Sequence, residues 1–109
     1  MTHVTIYTNQ KNAFTGFLCE GHAGYANEGE DIVCAGISTL VINTINSIEA
    51  LTATQILADA EQESGTIHVN FPSGCDLQAK LLVNAMILGL QGIQKNYGEK
   101  FLTLDFKEV

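Results

Sequence analysis

The chain has 109 residues, 46% of them apolar, a single proline and a formal net charge of −7. That length fits one domain over residues 1–109, and the apolar content argues against disorder. So acidic a surface repels phosphate backbones, which argues against direct nucleic-acid binding and suits a basic partner.

Residues 3–8, HVTIYT, alternate with Val4 and Ile6 on one side, which predicts a strand. NQKN at 9–12 is turn chemistry. FTGFLCE at 14–20 predicts a second strand, so the first two form a hairpin. Gly21, Gly24 and Gly29 then break regular structure through about residue 31. From there Ile37, Val41, Ile45, Ile48 and Leu51 recur every three or four residues and predict a helix over about 34–58. ADAEQESG at 58–65 is polar and ends in a turn at Gly65. TIHVNF at 66–71 alternates as a strand with Ile67, Val69 and Phe71 on one face. Asp76 is a candidate cap for a second helix over 77–96, whose apolar stripe runs through Leu77, Leu81, Ala85, Leu88 and Gly92, with Leu82, Met86 and Ile93 beside it. Leu102, Leu104 and Phe106 mark a last strand. The order β-β-α-β-α-β predicts a two-layer α+β fold, with a mainly antiparallel four-stranded sheet and both helices on one face.

The opening MTHVTIYTNQ has neither the basic start nor the long apolar run of a signal peptide, and the apolar stretches read as too short for a membrane span. The expected location is the cytoplasm. Three cysteines, Cys19, Cys34 and Cys75, are an odd number, and a disulfide framework is not expected.

The stretch GHAGYANEGEDIVCAGIS at 21–38 carries the reactive groups. Cys34 falls where the loop is expected to meet the helix, a position whose outward amides and macrodipole favour a thiolate. Asp31 stands three residues earlier as a candidate cap. Ser38 stands four residues later on the same helical face, with a hydroxyl to offer the sulfur or a developing oxyanion. His22 lies at the end of the second strand, and an imidazole can take a thiol proton and return it to a leaving group. The small residues between them let the connector fold back, and move as a flap. A zinc site is the rival reading: CEGH at 19–22 is a C-x-x-H half-site and Cys34 would add a ligand, but no second compact half-site follows. Cys19, Cys75, His3 and His68 read as packing or surface residues. The acids Glu28, Glu30 and Asp31 read as a solvated loop edge, or as an attractor of a basic peptide. A third reading is a non-catalytic module that binds a basic protein through this acidic loop.

Gly21-His22-Ala23, then Gly29, Asp31-Ile32-Val33-Cys34-Ala35 and Ser38 resemble the ribosomal-processing cysteine protease family, Prp. Length and element order are similar across nearly the whole chain, while the specific motif covers residues 21–38. The resemblance implies a thiol endopeptidase with Cys34 as nucleophile and His22 as general base and acid. Asp31 and Ser38 would support the site, and Gly21, Ala23, Gly24, Tyr25 and Gly29 would belong to a substrate-facing loop. It implies a homodimer with neither cofactor nor metal. The implied substrate is the N-terminal extension of a basic large-subunit ribosomal protein, the one numbered twenty-seven, cut after an aromatic residue in a short apolar motif.

Overall fold

The computed structural model describes residues 1–21, 28–61 and 64–109, with the backbone alone for 28–31. The elements run β1 (Thr2–Thr8), β2 (Phe14–Glu20), α1 (Glu28–Leu51), β3 (Leu57–Glu61), β4 (Thr66–Asn70), α2 (Leu77–Tyr97) and β5 (Leu102–Glu108). The fold is α+β, with a sheet of five strands ordered β3-β4-β2-β1-β5. This corrects the expected four strands and the order β-β-α-β-α-β. The sheet is mixed, because β5 runs parallel to β1 while the other pairs are antiparallel. The added strand, β3, is LADAE, which the expectation divided between the end of the first helix and the polar stretch leading to Gly65.

Register explains where the core sits. Partner residues on adjacent strands point to the same side of a sheet. Leu104, Val4, Cys19, Ile67 and Ala60 therefore form one row across all five strands, and Phe106, Ile6, Phe17, Val69 and Ala58 form the next. Val33, Ile37, Val41 and Ile48 of α1 and Ala79, Val83, Met86 and Leu90 of α2 pack on the middle of these rows as one core. Both helices thus cover one face, as expected. Phe17 and Phe71 meet edge to face, 6.2 Å between ring centres, a favoured aromatic geometry. The outer face carries His3, Thr5, Tyr7 and His68.

Helix α1 starts about six residues earlier than expected and takes in Gly29 and Asp31, which had read as loop. Glu28, Glu30 and Asp31 are its first turn, where negative charge is favoured by the helix dipole; one glycine, costing about 1 kcal/mol, does not prevent it. The helix also stops sooner, at Leu51. The Thr52 hydroxyl donates to the Ile48 carbonyl at 2.8 Å and accepts from the Thr54 N–H at 3.1 Å, turning the chain toward β3. Residues Ile32–Leu51 are long and apolar enough to cross a membrane by length and composition, contrary to the sequence expectation. Their apolar stripe is instead spent on the sheet, with Ile37, Val41 and Ile48 fully buried.

Helix α2 is capped as expected. The Asp76 carboxylate accepts from the Ala79 N–H at 2.8 Å, and the Asp76 N–H donates to Thr54 Oγ1 at 2.9 Å. Its buried face differs from the expected stripe: Ala79, Val83, Met86, Ile87 and Leu90 are inside, while Leu77, Leu81 and Leu88 are 83%, 70% and 70% exposed. The two helices approach closely where Gly89 meets Leu40; a Cβ at Gly89 would lie 2.7 Å from a Leu40 methyl. Helix α2 lies toward the β5 side, its Gln94 amide donating to the Leu102 carbonyl at 3.1 Å.

Candidate active site

Cys34 is the seventh residue of α1. Only the first four amides of a helix lack intrahelical acceptors, and the dipole's influence fades within the first turn. The expectation that Cys34 sits at the helix mouth is therefore corrected, and so is Asp31 as a cap: it is the fourth helical residue. The free amides at the start of α1 therefore do not lie at Cys34.

Three observations place that side chain. At about 100° per residue, Cys34, Ser38 and Ile45 follow one flank of α1. Gly36 and Leu40 mark the flank turned to α2, where they contact Ile93 and Gly89. With α2 toward β5, the Cys34 flank faces the β4–β3 half of the sheet. Beneath it lies Cys19, buried and pointing up from β2 toward the helices. Burial, then the nearby charge of Cys34 and that of Glu20, push the Cys19 thiol up to about 11. Cys34 and Ser38 are both half-buried and within reach of solvent.

Cys19 is two residues from Gly21, a span of at most about 7 Å. Gly21 has φ 73, and a Cβ there would stand 2.7 Å from the Met1 carbonyl oxygen. A tight glycine thus ends β2 beside the N-terminus of β1, and the next residue is His22. His22, Ala23, Gly24 and Tyr25 lie outside the described residues, as does the side chain of Asp31, while Gly29 is described as helix backbone. The structure therefore brings together Cys34, Ser38, Cys19 and the strand end from which His22 departs. Sequence reading missed Cys19 as the floor of this site. The signal was present in the alternation of β2, which puts Cys19 on the same side as Phe17.

Cys75 is elsewhere, half-buried at the start of α2. Burial first, then the Asp76 carboxylate, push its thiol up to about 11, against an opposing pull from Lys80. This makes it a poor nucleophile. All three cysteines are free. His3 Nδ1 is hydrogen-bonded to Thr103 Oγ1 on the outer face, and His68 is exposed there. Among the described residues, no three His, Cys, Asp or Glu side chains gather to hold a metal. An apolar groove between the helices, lined by Ala35, Gly36, Thr39, Leu40, Asn43 and Ile93, lies on the other flank of α1 from Cys34.

Comparison with known proteins bears on this site. Residues 1–101 match the family described as Cysteine protease Prp. A ribosomal processing cysteine protease Prp from Bacillus subtilis (strain 168) is 31% identical over 101 residues, covering 89% of this chain and 90% of the relative. Two crystal structures of an essential ribosomal processing protease Prp from S. aureus have the same fold. One, in complex with a substrate peptide, has a TM-score of 0.90 at 28% identity, covering 98% of this chain and 100% of that one. The other, with a covalently linked product peptide, has a TM-score of 0.87 at 29% identity and the same coverage.

Proposed function

The chain belongs to the Prp family and is a cysteine protease; from that premise we propose that it removes the N-terminal extension of a basic large-subunit ribosomal protein, the one numbered twenty-seven, with Cys34 as nucleophile and His22 as general base and acid. One observation carries the pairing. The solvent-reachable thiol of Cys34 lies over Cys19, and the chain that bears His22 leaves the sheet two residues beyond Cys19.

In this mechanism His22 takes the proton of Cys34, and the sulfur attacks the scissile carbonyl. A tetrahedral oxyanion forms. The Cys34 N–H is inside the helix and committed to it, so among the described residues the Ser38 hydroxyl, one turn along, is a donor on this flank. As the intermediate collapses the C–N bond breaks, and His22 gives its proton to the departing amine. Water, deprotonated by His22, then attacks the thioester, and the sulfur leaves as Cys34 is restored. Asp31 supports the site from the first turn of α1. Gly21, Ala23, Gly24, Tyr25 and Gly29 frame the substrate, and the cut follows an aromatic residue in an apolar motif.

The net charge of −7 suits a basic substrate. A cytoplasmic homodimer completes the proposal. Leu77, Leu81 and Leu88 line the face of α2 turned away from the sheet and are exposed, the kind of apolar strip that a second copy covers.

Competitive alkylation tests the assignment of the nucleophile. At pH 6.5 iodoacetamide modifies Cys34 first, because Cys19 and Cys75 are held protonated with values near 11. His22→Ala slows that reaction. Equal labelling of all three cysteines, or no effect of His22→Ala, contradicts the pairing.

A further inference from the structure

Beside Cys34 the sheet runs out from under the helices. In the row that passes beneath the sulfur, Val4 and Cys19 are buried, Ile67 is half-buried and Ala60 is exposed. In the next row Phe17 and Val69 are buried and Ala58 is exposed. Ala58 and Ala60 point to the helix side of β3, the edge strand, yet neither helix covers them. The result is a shelf, floored by Ile67, Ala58 and Ala60 and walled by the flank of α1 that carries Cys34 and Ser38.

We infer that this shelf, which rests on the protease reading above, is the specificity surface: it seats the apolar side chains of an extended substrate peptide within three residues of the bond that Cys34 cuts. Distance fits. Ala60 is two strands from Cys19, about 10 Å at 4.7–4.9 Å per strand, which is the length of three extended residues. A bond held at the sulfur therefore puts residues two and three positions away over Ala60. Side-chain size fits as well. A methyl is the smallest side group a strand can show, so two exposed alanines leave room above them for a bulky apolar residue, which loses its contact with water against Ile67. Position excludes simple strand addition to the free edge of β3. A peptide paired there would lie three strands from Cys19, too far for its carbonyl to reach the sulfur.

Binding and cleavage are measured with a synthetic peptide spanning the junction between the extension and the mature ribosomal protein. Binding is read by fluorescence anisotropy in the Cys34→Ser background, where no turnover occurs. Ala60→Phe fills the shelf and raises Kd at least 10-fold; Ala58→Phe does the same. Asp59→Asn, on the outer face of the same strand, leaves Kd within 2-fold. With the apolar residues flanking the cut replaced by alanine in the peptide, Ala60→Phe changes Kd less than 3-fold. In active enzyme the Ala60→Phe defect appears chiefly in KM, and iodoacetamide modifies Cys34 at the wild-type rate. An unchanged Kd in both alanine variants, with their thermal melts intact, overturns the shelf. An equal loss in Asp59→Asn also overturns it. A wild-type chain that binds the peptide with this dependence and never cuts it refutes the protease reading while supporting the shelf.

Discussion

At Gly21 two constraints coincide. Its φ of 73 is left-handed, and a Cβ would press on the Met1 carbonyl at 2.7 Å. Alanine there brings strain of about 1–3 kcal/mol, and backbone cannot give way as a flexible side chain would. Gly21→Ala is expected to lower the unfolding free energy by that amount in urea titration. It is also expected to lower kcat and to slow alkylation of Cys34, since it moves the chain that holds His22. The family was legible through the resemblance of Gly21-His22-Ala23, Gly29 and the run from Asp31 to Ser38 to Prp, while the chemistry of those residues by itself left a zinc site and a non-catalytic module open. The setting of Cys34 was not. Its distance from the helix mouth depends on acids at 28–31 that suit a first helical turn as well as a loop.

Among the elements, the hairpin, the core stripe of α1 through Ile37, Val41, Ile45 and Ile48 but not the exposed Leu51, and the cap of α2 were readable, each from strong local chemistry. Asp76 bonds the Ala79 N–H at 2.8 Å and donates its own N–H to Thr54, so one residue joins the start of α2 to the link between α1 and β3. Asp76→Ala is expected to cost about 1 kcal/mol, seen as a lower urea midpoint with an unchanged slope. Activity should change little, because the cap lies away from Cys34. Strand β3 escaped notice for a physical reason. LADAE has no β-branched residue and every position is exposed, so no hydrophobic pattern announces it; it exists by pairing with β4. Helix α2 misled in the opposite way. It is apolar on two sides, and nothing in the spacing says that Val83, Met86 and Leu90, not Leu77, Leu81 and Leu88, meet the sheet.

For the whole molecule, that second apolar side is the consequence to follow. A monomer with three leucines at 70% exposure or more along one helix gains by covering them. Leu81→Glu is expected to halve the solution mass seen by light scattering, with far-UV circular dichroism unchanged. A wild-type monomer at the same concentration would contradict the dimer. The parallel pairing of β5 with β1 was equally out of reach of local pattern, because alternation says which face a strand buries and not which neighbour it takes.

The central claim is peptide hydrolysis by Cys34 assisted by His22. Its most direct test is intact mass spectrometry of the N-terminally extended ribosomal protein after incubation with wild type, Cys34→Ser and His22→Ala. A single new species, shorter by the extension and formed by wild type alone, is the expected result. The same species formed at an undiminished rate by either variant would contradict the account.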